Sequence, residues 1–231
     1  MTLPAYERRD LAPRSGKPLR FVLICLFASA ALAVGGVLLL DGAVLAGLGW
    51  QDRAPAILDR FVAFADVVAL RGISDFLIGG VLLLAGAVLY LLGRRPLARA
   101  FGFVAGVHLT AYLAADLAKP LFGRLRPFQA IDPSGWHDRW FAGSGYGSFP
   151  SGHVAFYGGL MVPLALLYPR AAPLLLAVPA LVSVERIIAL DHYSSDVAAS
   201  FALILLCCVA FGKLTGQFQH GDLLSTNVSG G

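Results

Sequence analysis

Phe149-Pro150-Ser151-Gly152-His153 is a polar kink between a glycine-rich aromatic loop and an apolar run that reaches Tyr168. Ser151 and Gly152 stand where that run begins, so their backbone N–H groups and the positive end of the helix dipole can meet an anion, and Gly152 lets the anion come close. The run itself, 153–168, reads as a membrane-spanning helix, and the chain on both sides repeats the pattern of apolar runs parted by short polar turns.

Composition agrees with that reading. The 231 residues are 58% hydrophobic and 14% charged, with a mean hydropathy of +0.74, whereas soluble domains are about 45–50% apolar. The chain is therefore an integral membrane protein. Cys25, Cys207 and Cys208 all fall inside apolar runs, which makes them buried membrane residues and not a disulfide framework or a zinc site. The net charge of +4 is scattered, without the basic stripe and interleaved aromatics that nucleic-acid binding needs.

The expected fold is all-α: a polytopic bundle of six transmembrane helices with an interfacial, periplasmic helical segment. Residues 1–20 form a basic tail (Arg8, Arg9, Arg14, Lys17, Arg20) suited to an anionic cytoplasmic leaflet. The membrane domain covers 21–214, with spans at about 21–40, 76–92, 101–118, 153–168, 174–190 and 197–214, and a flexible tail occupies 215–231. The first span contains Ala-x-Ala sites that resemble signal-peptidase sites, but its apolar run continues to Leu40, too long for a signal core. Between Asp41 and Asp75, the stripe Ile57, Leu58, Phe61, Val62, Ala65, Val68 predicts a helix lying at the membrane surface; a short re-entrant segment or a helix packed on the bundle fits as well. No chemistry is expected there. With the N-terminus inside, Arg94, Arg95, Arg99, Arg170 and Lys213 also lie inside, as the positive-inside rule prefers. The segments 41–75, 119–152 and 191–196 then face outwards.

Those outward segments hold three clusters: Lys119-x6-Arg126-Pro127, Pro150-Ser151-Gly152-His153, and Arg186-x5-His192-x3-Asp196. Cations and histidines at one depth of a membrane bundle mark a functional site, because such groups are costly to bury there without a partner. Arg126, Arg186 and Lys119 supply two planar forks and a point charge, donors that suit a dianionic phosphoryl group. Ser151 and Gly152 add the helix start. His192 and Asp196 are four residues apart; on one helix face, the carboxylate would accept from one imidazole nitrogen and leave the other free to attack phosphorus. His153 would protonate the leaving alcohol and then activate water against the phosphohistidine. One histidine must start neutral and the other protonated, which predicts a bell-shaped pH profile. The cations stabilise the transition state in this scheme without metal or other cofactor.

The three clusters resemble the signature of the type 2 phosphatidic acid phosphatase superfamily, K-x6-R-P, P-S-G-H and S-R-x5-H-x3-D, which includes membrane lipid phosphatases, vanadium haloperoxidases and glucose-6-phosphatase. The resemblance runs from Lys119 to about Leu214. It implies phosphate binding by Lys119, Arg126, Ser151, Gly152 and Arg186, with His153 as acid, His192 as nucleophile and Asp196 as its orienter. One position departs: Glu185 stands where the family has serine. A carboxylate there repels phosphate unless it turns away or pairs with a cation.

Outside the clusters, Asp116 precedes Lys119 by three and reads, with His108, as structural. Asp191 either tunes His192 or faces water. Trp136, His137, Trp140, Phe141 and Tyr146 suit a loop seated at headgroup level, which could anchor or cap the site. The sequon Asn227-Val228-Ser229 falls in the cytoplasmic tail and is discounted.

The expected activity is metal-independent hydrolysis of a lipid phosphomonoester or diphosphate at the outer leaflet of a bacterial cytoplasmic membrane, with the site facing the periplasm. Phosphatidylglycerophosphate, undecaprenyl diphosphate, phosphatidic acid and lipid A phosphate are all open as substrates. Lipid-to-lipid phosphotransfer through the same phosphohistidine is the enzymatic alternative, and a lipid transporter or binding scaffold the non-enzymatic one. The partners are the bilayer and its lipid phosphate; oligomeric state is not legible.

Overall fold

A computed structural model describes residues 17–48, 55–132, 135–143, 145 and 147–218. Most of the basic tail, Tyr146 and the Asn227 sequon lie outside these residues. Leucine, valine and alanine dominate the helices and have no water to face, so much of the apolar surface points outward. Phe27, Leu38 and Leu39 on the first helix are 71%, 71% and 77% exposed, as lipid-facing side chains should be.

The described chain runs α1 (Lys17–Gly35), a π-helical turn (Gly36–Leu40), α2 (Asp41–Leu48), α3 (Ala56–Val68), α4 (Leu77–Leu91), α5 (Arg95–Phe122), α6 (Gly152–Leu167), α7 (Ala172–Ile188) and α8 (Ser194–Leu214). Besides helices there is a two-residue antiparallel pair, Ile131–Asp132 with Gly135–Trp136. Leu19–Leu48, Arg95–Gln129 and Ser194–Leu214 are long and apolar enough to cross a membrane, and Leu77–Leu91 and Gly152–Leu167 are shorter apolar helices.

Helices α5, α6 and α8 touch one another and form the centre. Around them, α1 lies along α8, α4 along α5 and α7 along α6, with α3 against α7. One core joins Leu19 and Val22 to Phe103, Val107, Ile204 and Cys208, and the second joins Val62 and Ala69 to Tyr112, Phe156 and Val182. Cys207 and Cys208 are buried free thiols, and Cys25 is half-buried and free.

One expectation for the first 75 residues needs correction. The first apolar helix does not end at Leu40: it continues through Asp41 to Leu48, because Asp41 is buried against a cationic partner described below and need not reach water. Helix α3 forms, but only Phe61, Val62 and Ala65 of the expected stripe face the core. Ile57, Phe64, Val67 and Val68 are exposed, so its outer side is apolar as well.

Candidate functional site

The C-terminus of α5 sets the first cluster. Gly123 takes the left-handed conformation (φ +49), and a Cβ there would lie 2.8 Å from the Gly143 carbonyl. Glycine therefore ends the helix and turns Arg124 inward and Arg126 outward. One turn earlier, Lys119 pairs with Asp116 at 3.2 Å, as the spacing suggests. Its Nζ also stands 2.8 Å from where a Cβ on Gly152 would be, so glycine at the first residue of α6 makes room for the ammonium. Lys119 and the start of α6 are thus brought together.

His192 sits at the other side of the α6 start, 3% exposed. Its Nδ1 donates to the Ser148 carbonyl at 2.7 Å. A carbonyl only accepts, so Nδ1 carries the hydrogen and the neutral ring keeps its lone pair on Nε2. The expectation that Asp196 takes this proton is corrected: its Oδ2 is 3.6 Å from Nδ1. Asp196 instead accepts from the Ser148 hydroxyl, from the Tyr193 N–H at 2.9 Å and from Arg124 Nη1 at 2.6 Å. It holds the residue that holds the histidine.

Arg124 was absent from the sequence-based site, yet it is the hub beneath it. Its side chain is fully buried, as are those of Asp41 and Asp196, which it pairs at 2.8 and 2.6 Å. Asp138 of the long loop takes Nε and Nη2 at 3.0 and 2.7 Å. Ser195 bonds both Arg124 and Asp41, and the Tyr193 ring lies 3.7 Å from the guanidinium carbon. One cation thereby ties α2, the α5–α6 loop and the start of α8. Asp41, at the end of an apolar run, was the available signal, since an ionised group at membrane depth needs a partner.

The expected oxyanion role of the helix start is partly spent. The Ser151 N–H points to the Asp196 carbonyl at 3.4 Å, while Ser151 Oγ is buried without a hydrogen-bond partner. Gly152, the first residue of α6, remains beside Lys119.

His153 faces α3, in the segment for which no chemistry is expected. Its Nε2 lies 3.7 Å from Asp66 Oδ2. Asp66 accepts from the Tyr157 hydroxyl at 2.6 Å and Arg71 at 3.1 Å, and Arg71 also pairs with Asp75 at 2.7 Å. Burial opposes charge on Asp66, but His153, Tyr157 and Arg71 outweigh it and hold the carboxyl well below its ordinary 3.8. Asp66 of α3 was invisible as a partner of α6 because Tyr157, which donates to it, lies 91 positions away.

Arg126 and Arg186 converge on one carboxylate. Asp191 accepts from Arg126 Nη1 at 2.9 Å and from Arg186 Nη1 at 2.7 Å. Glu185, 1% exposed, takes the other edge of Arg186 through both oxygens. The departure from the serine pattern is accommodated by a cation pair, and Asp191 does not merely face water. A groove of about 560 Å³ opens beside Lys119 and Arg126 and is lined also by Asp116, Phe128, Gln129 and Gly147. Neither histidine lines it.

The long loop turns inward in part. Trp140 meets Phe122 edge-to-face and Phe149 at a tilt and covers Arg124 at 4.5 Å, whereas Phe141 is 74% exposed. Among the described residues, no group of three His, Cys, Asp or Glu side chains is arranged for a metal ion.

Residues 99–218 match the PAP2 superfamily. A lipid A 1-phosphatase of Rhizobium johnstonii is 34% identical over 106 residues, 44% of this chain and 43% of that protein. A protein of the same description from Rhizobium etli is 35% identical over 91 residues, 39% of each chain. The chain thus matches less than half the length of either relative. A crystal structure of a transmembrane PAP2-type phosphatidylglycerolphosphate phosphatase from Bacillus subtilis superposes with a TM-score of 0.50 at 22% identity, covering 88% of this chain and 98% of that one. That likeness concerns the fold.

Proposed function

Since the chain belongs to the PAP2 superfamily, we propose that it is an integral-membrane phosphatase acting on a lipid phosphomonoester or diphosphate through His192. The observation that carries this reading is the His192 ring: Nδ1 is committed to the Ser148 carbonyl, so Nε2 is the nucleophilic nitrogen. Nε2 attacks phosphorus, the P–N bond forms as the P–O bond to the lipid breaks, and His153 gives its proton to the departing alkoxide. Water, deprotonated by His153, then displaces the phosphoryl group from Nε2 and inorganic phosphate leaves. Arg126, Arg186 and Lys119 bind the equatorial oxygens, with Ser151 and Gly152 at the dipole end of α6. Asp196 acts as orienter through Ser148.

In this reading all six expected spans cross the bilayer, the N-terminus is cytoplasmic and the site opens to the periplasmic face of an inner membrane. The names of the Rhizobium relatives support lipid A 1-phosphate as a substrate to test beside phosphatidylglycerophosphate, undecaprenyl diphosphate and phosphatidic acid. The test is phosphate release from that panel by the purified full chain in detergent, with and without EDTA. Release that survives EDTA and vanishes in His192→Ala is expected; dependence on added metal, or no release from any lipid, overturns the proposal.

A further inference from the structure

All three guanidinium nitrogens of Arg186 are engaged by carboxylates. Glu185 occupies its Nε and Nη2, and Asp191 occupies Nη1. Arg126, the second arginine of the proposed phosphate clamp, spends its own Nη1 on the same Asp191. The two carboxylates differ in how firmly they are held. Glu185 is 1% exposed and grips through two oxygens. The Asp191 side chain is 21% exposed, and its backbone N–H is tied to the Arg186 carbonyl at 3.1 Å, so the carboxylate can swing while its main chain stays. A phosphate that bridges the two Nη1 groups takes the place of that carboxylate, because two anions cannot share the same pair of donors.

Resting on the phosphatase reading above, we infer that Asp191 is a displaceable internal anion that occupies the Arg126–Arg186 clamp and so excludes phosphodiester headgroups while admitting terminal phosphates. Displacing Asp191 costs the same for every anion, so it lowers every affinity without changing their order. A dianionic terminal phosphate, with three oxygens for two forks and a lysine, still binds. A phosphodiester is monoanionic with two free oxygens, and this cost drops it out of range. The distinction matters in a bilayer, where diester lipids surround the site at high density. Asp191 thus keeps weakly binding diesters from filling an otherwise empty site, without touching the reacting atoms.

The experiment compares wild type, Asp191→Asn, Asp191→Ser and Asp191→Glu as full chains in detergent. Calorimetric titration with inorganic phosphate measures the clamp without turnover, and micelles doped with phosphatidylglycerol measure diester inhibition of lipid-phosphate hydrolysis. In the Asn and Ser variants phosphate should bind about fivefold tighter, the scale of a partly exposed ion pair, and phosphatidylglycerol should become an inhibitor. Asp191→Glu, which keeps the charge, should stay near wild type. Phosphate binding that is unchanged or weaker in both neutral variants overturns the inference, since a carboxylate that only props the arginines would give that result. Tighter phosphate binding with no new diester inhibition overturns the selectivity. If the wild type releases no phosphate from any lipid, the functional reading fails by itself, and the calorimetry still reports on the clamp.

Discussion

Replacing Arg124 with leucine tests the hub beneath the site. The guanidinium and the carboxylates of Asp41 and Asp196 all have 0% side-chain exposure, so the substitution leaves two buried charges without their cation. Breaking a buried pair from one side costs about 3–5 kcal/mol, far more than the pair contributes against an apolar replacement of both partners. For a chain of 231 residues, with roughly 2–4 °C lost per kcal/mol, the melting temperature should fall by about 6–20 °C. Intrinsic tryptophan fluorescence of the detergent-purified protein, followed on heating, measures it. Arg94→Gln, an exposed arginine, is the control and should stay within about 2 °C. Adding Asp41→Asn to Arg124→Leu removes one of the orphaned charges and should recover part of the loss, a non-additivity expected of directly contacting residues. Because Asp196 and Ser148 also lose their anchor, residual activity should fall at temperatures where the variant is still folded. A melting temperature within 2 °C of wild type, or a double variant less stable than the sum of the two singles, refutes the hub.

The other predictions concern the site. His192→Ala should lower phosphate release at least about a thousandfold with lipid and with p-nitrophenyl phosphate alike. His153→Ala should lose about 10²–10⁴-fold with lipid phosphates but much less with p-nitrophenyl phosphate, whose leaving group needs no proton; equal losses would remove His153 as the acid. Asp66 has a folded-state pKa below its ordinary 3.8, so its contribution to stability is complete above that pH and is lost as pH falls toward the folded value. The melting-temperature gap between wild type and Asp66→Asn should therefore be constant at neutral pH and close below about pH 4; a gap that widens in acid contradicts the sign. Glu185→Ser should lower kcat/KM about tenfold across the lipid panel, because Arg186 loses the two-oxygen grip that orients it. Unchanged turnover on every lipid would remove Glu185 from the mechanism.

Much was legible in one dimension because the governing interactions are local. Helices follow from apolar runs of spanning length, and the structure places α4, α6, α7 and α8 within three residues of the expected limits. Lys119 with Asp116 and the start of α6 at Gly152 also follow from short-range spacing. Asp196 shows where such reasoning stops: its spacing of four from His192 puts the two side chains near each other, at 3.6 Å, but spacing does not say which acceptor is nearer. The Ser148 carbonyl, 44 positions away, wins at 2.7 Å.

The sequence by itself determined that the chain is an apolar helical membrane protein and that three charged clusters stand at helix ends, because hydropathy and helix termini are properties of consecutive residues. Only the tertiary structure decided how those charges are neutralised. Arg124 with Asp41 and Asp196, Asp66 with Tyr157 and His153, and Asp191 between two arginines join residues up to 91 positions apart. Away from water an ion must find its partner wherever the fold brings one, and that choice belongs to the packing of helices, not to the order of residues.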